Sequence, residues 1–272
     1  MLEQMPEQVR EKEPLVHVIT NFVTVNDCAN IILAAGGSPI MTSDIREVEE
    51  IVGISQALVL NIGSTDTVEA MTAAGKKANE GNCPVVFDPV AAGASQLRKG
   101  ICKKLLKEIQ FTVIRGNISE IKAIATGSST AKGVDADVMD TVTEENLESA
   151  VKLAKSLSAR TGAVIVLTGA IDIAADADHA YVIRNGCQRM SKITGSGCML
   201  TALIGAFCGA NPCYPLIAAA AAAAVMGISG ELADKKATEQ EAGTSSFRNY
   251  LIDAVSNFTK EQFERGICIE TY

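Results

Sequence analysis

The sequence predicts an α/β protein: a mainly parallel sheet with helices on both faces and a small antiparallel edge. Three observations carry that prediction. Runs such as Ala57-Leu58-Val59-Leu60-Asn61-Ile62 and Ala163-Val164-Ile165-Val166-Leu167 are apolar almost throughout, the pattern of strands covered on both faces. Segments of helical length separate these runs, and strands alternating with helices build a parallel sheet with covered faces. Between about residues 171 and 191 the rhythm changes to short runs joined by turn residues, which reads as antiparallel strands.

The elements follow in chain order. Residues 1–13 are charged and polar and read as a loose tail on a single domain spanning 1–272. Leu15-Val16-His17-Val18-Ile19 is the first strand, and a helix over about 25–35 stops at Gly36-Gly37, a C-terminal stop signal. Runs at 84–87, 112–114 and 163–167 end in Asp88-Pro89, Arg115-Gly116-Asn117 and Thr168-Gly169. Helices are expected over 65–80, 97–109 and 144–160, the last starting at Thr143 with Glu145 in its first turn. Ile171–Ala175, His179–Ile183 and Arg189–Ser191 are the antiparallel candidates, and Asn185-Gly186 is a hairpin-grade pair. The polar, small-residue stretch 127–142 reads as a loose loop.

Composition sets limits. Hydrophobic residues are 47% of the 272, enough for a full core, which excludes a disordered chain. Aromatics are 4% and tryptophan is absent, so the core is built from Ala, Val, Ile and Leu, a composition suited to helix–sheet packing. A net charge of −8 excludes a global attraction to nucleic acid or anionic lipid. The eight cysteines include no CxxC, and His17 and His179 are the two histidines. A zinc site therefore has little support, and the cysteines read as reduced, buried thiols of a cytoplasmic protein. From Ile193 to Gly230 no residue is charged, but Asn211-Pro212-Cys213-Tyr214-Pro215 interrupts the stretch. It reads as two buried helices, about 197–209 and 213–233, rather than a membrane span.

Polar residues gather at the carboxyl ends of the apolar strands: Asn21, Asn61, Asp88, Arg115, Asn117 and Thr168. In an open α/β sheet that edge binds ligands, although any one such residue alone is more often a turn or a cap. Thr194-Gly195-Ser196-Gly197-Cys198 precedes a charge-free helix. Helix-start amides hold anions, glycine lets an anion approach the backbone, and a first-turn Cys198 sits where the helix dipole favours a thiolate. The motif is neither a Walker A loop nor a GxGxxG fingerprint. Asn117 and Glu120 stand three apart, a spacing that serves equally as a capping box or, with Asp88, as a Mg²⁺ site.

Taken together, these pieces resemble the hydroxyethylthiazole kinases of thiamine biosynthesis, members of the ribokinase-like superfamily. The resemblance runs through Pro14–Asn21, Gly37–Met41, Ala57–Gly63, Phe87–Val90, Ile114–Asn117, Lys132-Gly133-Val134-Asp135 and Thr194–Cys198, covering roughly residues 14 to 250. It implies a three-layer α/β/α sandwich and ATP-dependent phosphorylation of the hydroxyl of 4-methyl-5-(2-hydroxyethyl)thiazole. It implies that Met41, Gly195 and Asn21 meet the thiazole, that Arg115, Thr168 and Asn117 meet ATP, and that Asp88 and Glu120 hold Mg²⁺. It further implies that Gly195, Ser196, Gly197 and Cys198 form the anion hole and that Cys198 is the catalytic residue, standing where most of the superfamily has Asp. The family is typically a homotrimer with the thiazole site between subunits. One departure is Gly243-Thr244-Ser245-Ser246-Phe247, where the family often reads Gly-x-Gly-Ser-Phe, which puts the role of that loop toward the nucleotide in question. Two other functions compete: a thiol enzyme with Cys198 as covalent nucleophile, and a non-catalytic nucleotide or thiazole sensor.

Overall fold

The computed structural model describes residues 1–126 and 142–272. The loop read over 127–142 and the Lys132–Asp135 piece fall almost wholly outside them. The elements, in chain order, are α1 (Met5–Lys12), β1 (Leu15–Ile19), α2 (Val25–Ala35), β2 (Ser38–Ile40), α3 (Val48–Ile54), β3 (Ala57–Asn61) and α4 (Val68–Glu80). Next come β4 (Val85–Asp88), α5 (Gln96–Glu108), β5 (Val113–Asn117), α6 (Ile118–Thr126), α7 (Leu147–Thr161), β6 (Val164–Thr168), β7 (Asp172–Ala175) and β8 (Ala180–Ile183). The chain ends with α8 (Ser196–Ala210), α9 (Pro215–Glu239), α10 (Thr244–Ser256), α11 (Lys260–Gly266) and β9 (Ile269–Thr271).

One sheet joins the strands in the order β2-β1-β3-β4-β5-β6-β7-β8-β9. The pairs from β2 to β6 are parallel and those from β6 to β9 antiparallel. Alternate strand residues feed two cores. Val16, Val18, Val59 and Val86 pack with α2, α8, α9 and α10 on one face. Ile19, Leu58, Leu60 and Phe87 pack with α4, α5 and α7 on the other. This is the three-layer sandwich. The strand order reverses at β1, whose sequence neighbour β2 lies on one side and β3 on the other, so the crevice between the ends of β1 and β3 is a topological switch point.

Helix α8 lies on the sheet through a row of small residues four apart. A Cβ on Gly205 would stand 2.4 Å from Val59 Cγ2, and one on Gly209 would stand 3.2 Å from both Ala57 Cβ and Pro14 Cβ. Helix α9 is long and apolar enough to cross a membrane, yet Ala218 through Gly230 are buried in this fold. The charge-free stretch is therefore a core helix pair, as its turn signal predicts.

Several expectations are corrected. The first 13 residues are not a loose tail. Pro6 opens α1, and Met5 and Val9, one helical turn apart, are buried. Lys12 Nζ donates to Ala210 O at 2.5 Å and Arg10 Nη2 to Ser256 O at 3.2 Å, placing cations on the C-terminal carbonyls of α8 and α10. Helix α7 begins after Asn146 rather than Thr143, because Asn146 Oδ1 accepts the Thr143 N–H at 2.8 Å and holds 144–146 as a turn. Arg189–Ser191 is a 3-10 turn, with Arg189 drawn to Asp234 at 2.9 Å, and β9 supplies the strand beside β8. Asn185-Gly186 closes no hairpin. The Asn185 amide donates to Glu231 Oε1 at 3.1 Å and Gly266 O at 2.8 Å, and its Oδ1 accepts Cys268 N–H at 2.8 Å, clasping the C-terminal segment. Cys213 and Cys268 are exposed thiols, not buried ones.

The close approach of α8 gives a stability prediction. Gly205→Ala forces its new methyl against Val59, and overpacking of this kind costs about 1–3 kcal/mol. Urea unfolding is expected to show that loss with an unchanged denaturant slope.

Candidate active site

The strand ends deliver their polar residues to one place. Asn61 ends β3 and is 1% exposed, and Asp88 ends β4 and is 0% exposed. Their registers match, Asn61 facing Asp88 across the parallel pair. Asn61 Nδ2 donates to Asp88 Oδ2 at 3.0 Å and to Cys198 Sγ at 3.2 Å. Asn61 Oδ1 accepts Asn21 Nδ2 at 3.1 Å and the Gly63 N–H at 2.9 Å. Asn21, two residues beyond β1, in turn accepts the Val23 and Thr24 N–H groups on its Oδ1 at 3.1 Å each and points its amide at Cys198 Sγ at 3.8 Å. The switch-point crevice is thus bridged by two asparagines with a thiol above them.

Helix α8 starts at this crevice. Gly195 is its N-cap residue, left-handed at φ 83°, and no side chain caps the helix. Its first-turn N–H groups have no partner within the helix. Gly195 is required by its left-handed backbone, and Gly197 leaves the space that the Arg115 guanidinium occupies. A Cβ on Gly195 would stand 2.7 Å from Thr24 Cγ2, and one on Gly197 would stand 2.3 Å from Arg115 Nη1. The guanidinium therefore lies directly against the helix start. Arg115 Nη2 donates to Thr168 Oγ1 at the end of β6, and Nη1 stands 3.7 Å from Asp88 Oδ2. One helical turn into α8, Thr201 Oγ1 donates to Asp88 Oδ2 at 2.8 Å.

Electrostatics follow burial. The Asp88 carboxyl is pushed up to about 6 by burial, with Glu120 adding to the rise and Arg115, Thr201 and Asn61 opposing it. Burial also raises the Cys198 thiol, and Asp88 raises it further against hydrogen bonds from Thr24 and Asn61 and the charge of Arg115. This corrects the expectation of a thiolate. The first-turn position is as read, but burial disfavours the charged thiolate there. Burial lowers His17, whose Nε2 meets Thr42 O at 3.0 Å, the residue after Met41.

Asn117 and Glu120 form the capping box. Glu120 N donates to Asn117 Oδ1 at 2.8 Å and Asn117 N to Glu120 Oε2 at 2.9 Å. Glu120 Oε1 also accepts the N–H of Ala91 at 2.8 Å, a non-glycine residue held at φ 55° in the loop after β4. Two carboxylates could serve a divalent cation, although no group of three or more His, Cys, Asp or Glu ligands gathers among the described residues. Asp88 Oδ1 is buried without a hydrogen-bond partner, both Glu120 oxygens accept backbone N–H groups, and carboxylate oxygens are the donors Mg²⁺ takes.

Asn21, Asn61, Asp88, Arg115, Thr168 and the Gly195–Cys198 turn are therefore brought together. Met41 stands one residue beyond the edge strand β2, half-buried against the core that α8 also packs on. Ser245 stands exposed in the first turn of α10 without a left-handed backbone, so serine is tolerated there. Sequence reading missed Thr24 and Thr201. The four-residue step from Gly197 to Thr201 and on to Gly205 was the available signal, since it marks one face of α8.

This sheet, with its ligand edge and its glycine-flanked helix start, is that of the ribokinase-like small-molecule kinases. A pyridoxal kinase from Staphylococcus aureus in complex with AMP-PCP and pyridoxal superposes with a TM-score of 0.62 at 15% identity, over 95% of this chain and 98% of that one, a likeness of fold. A closer match is the hydroxyethylthiazole kinase protein of Pyrococcus horikoshii, with a TM-score of 0.88 and 32% identity over 100% of this chain and 98% of that one. The hydroxyethylthiazole kinase of Clostridium acetobutylicum is 52% identical over the whole of both chains. The hydroxyethylthiazole kinase family model matches residues 7–261, and the chain belongs to that family.

The Asp88 shift yields a pH prediction. A carboxyl raised from 3.8 to about 6 on folding leaves the native state holding a proton that the unfolded state has lost. Its stabilising contribution is full below the unfolded value and declines as pH rises through the native one, by about 3 kcal/mol. Unfolding free energies without Mg²⁺ or nucleotide are expected to show this decline from pH 4 to 6.5 in the wild type relative to Asp88→Asn. Parallel curves would show that Asp88 ionises as an ordinary carboxylate.

Proposed function

We infer that the chain transfers the γ-phosphoryl group of ATP to the hydroxyl of 4-methyl-5-(2-hydroxyethyl)thiazole, forming the thiazole phosphate used in thiamine synthesis. The observation that carries this reading is the meeting of the uncapped α8 start, Arg115, Asp88 and Cys198 at one crevice, in a chain 52% identical to a hydroxyethylthiazole kinase over its full length. Phosphoryl transfer has a loose transition state, so positioning and charge neutralisation do most of the work. The amides of Ser196, Gly197 and Cys198 point at the charge that develops on the transferring group. Arg115, fixed by Thr168 and packed on Gly197, neutralises phosphate oxygens, and Asn117 borders the nucleotide beside it.

Asp88 and Glu120 are the residues that would hold Mg²⁺, which would offset phosphate charge. Gly195, Asn21 and Met41 receive the thiazole, with the alcohol beside Cys198 as orienting group. Little proton removal is needed early in a loose transfer, so the alcohol keeps its proton until bonding to phosphorus is advanced, and a thiol held protonated by burial acts by orienting it. The covalent-nucleophile reading is disfavoured by that same shift. It also lacks an imidazole partner, since His17 is bonded to Thr42 O and His179 stands in the β7–β8 turn.

We place the enzyme in the cytoplasm as a homotrimer with thiazole sites between subunits. Phe22 and Val23, directly after Asn21, are 85% and 57% exposed, and Leu33 on α2 is 57% exposed. Apolar groups this exposed beside a binding crevice suit burial against a second copy, whose β2 edge would bring in Met41.

Two outcomes test the reading. In a coupled ADP-release assay with a panel of small alcohols, the wild type is expected to prefer the thiazole alcohol. Cys198→Ala is expected to lower kcat roughly tenfold to a hundredfold and retain measurable turnover, and Glu120→Gln to raise the Mg²⁺ needed for half-maximal rate. Complete loss in Cys198→Ala together with a covalent adduct on the wild-type thiol would favour the nucleophile. Sedimentation is expected to give three times the chain mass, and a fully active monomer would remove the shared site.

A further inference from the structure

We propose that Asn61 is a positioning residue for phosphoryl transfer, dividing its amide between the Cys198 thiol and the Asp88 carboxylate so that both groups are held in one rigid frame. The proposal rests on the kinase reading above, in which Cys198 meets the alcohol and Asp88 the cation.

The orientation of the amide is decided by its partners. The Gly63 N–H can only donate, so the atom it meets at 2.9 Å is the carbonyl oxygen. An ionised Asp88 carboxylate can only accept, so the atom 3.0 Å away is the amide nitrogen. That nitrogen has two hydrogens, and the second faces Cys198 Sγ at 3.2 Å. Asn21 fills the remaining acceptor position on Oδ1 at 3.1 Å. Both hydrogens and both acceptor positions of the amide are thus used, and the side chain is 1% exposed. No freedom is left for the amide to turn.

The consequence for chemistry is directional. With Oδ2 of Asp88 engaged by Asn61 and Thr201, Oδ1 is the oxygen left without a partner, and it is the one that would serve a cation. With Asn61 donating to the sulfur, the thiol's remaining capacity is directed toward Thr24 and the open side of the crevice. A single amide therefore fixes the spacing between the group that meets the alcohol and the group that meets the cation. No other side chain among the described residues bonds both.

Two variants test this in the full-length enzyme, Asn61→Asp and Asn61→Ala, each in the wild-type and Cys198→Ala backgrounds. Asp keeps the shape but cannot donate while ionised, and Ala removes the amide if a second carboxylate prevents folding. Each is expected to lower kcat roughly tenfold to a hundredfold while KM for ATP and for the thiazole alcohol moves less than about threefold. The same substitution is expected to cost at least about threefold less in the Cys198→Ala background, because part of its effect runs through the thiol. An equal cost in both backgrounds, a change confined to KM, or wild-type kcat would overturn the proposal. A readout independent of turnover is the rate of iodoacetamide labelling, resolved by peptide mass. Asn61→Ala is expected to change the rate at Cys198 severalfold and leave exposed Cys213 and Cys268 as they are. An unchanged Cys198 rate would overturn the link to the thiol. If the wild type fails to phosphorylate the thiazole alcohol, the substrate reading falls, and the labelling rates still decide the role of Asn61.

Discussion

The site depends on how closely α8 lies on the sheet. Gly197, Thr201, Gly205 and Gly209 recur every four residues and form one face of the helix. Along that face the partners change in order, from Arg115 on β5 through Asp88 on β4 and Val59 on β3 to Ala57 and Pro14 at the opposite edge. The helix thus crosses the sheet obliquely, in contact along its length. A larger side chain at Gly205 would lift the helix and carry the anion hole away from Asn61 and Asp88. Function at the first turn is set by packing two turns further on. Lys12 and Arg10 of α1 bind the far ends of α8 and α10, so the N-terminal helix belongs to the same support.

Close approach has an electrostatic cost, and the site is arranged around it. Asp88 is fully buried, and burying a carboxylate is tolerated only with compensating partners. Asn61 and Thr201 donate to one oxygen, and Arg115 stands at 3.7 Å. They do not cancel desolvation, as the upward shift shows. The remaining imbalance suits a site that receives a cation and a polyphosphate together. It also answers how a chain of net charge −8 can accommodate a polyphosphate, since a local arginine and helix-start amides supply attraction without a basic surface.

The sheet was legible because strands covered on both faces leave unbroken apolar runs, and five of them could be read directly. The gathering of Asn61, Asp88, Arg115 and Thr168 at one edge was legible for the same reason, since residues ending parallel strands must share an edge. Three kinds of feature escaped. Met5 and Val9 sit among charges that make residues 1–13 look solvated, although their four-residue spacing marks a buried helical stripe. Arg189-Met190-Ser191 has strand-like composition, but the pull of Asp234 on Arg189 is tertiary. The thiol of Cys198 is raised by burial, which segments distant in sequence create and a local motif does not display.

That last miss explains why a thiol suits this position better than a carboxylate. Asn61 ties residue 198 to Asp88 through one amide, so the two side chains share a small buried volume. Two carboxylates there would repel, and one would stay protonated, as in paired-acid sites. Asp88 is already raised to about 6 by burial, and a like charge beside it would raise it further. A neutral thiol adds no charge, accepts the same Asn61 hydrogen bond, and leaves Asp88 free to ionise. The absence of a basic carboxylate at residue 198 is thus the cost of keeping a single strong charge where Asp88 is fully buried.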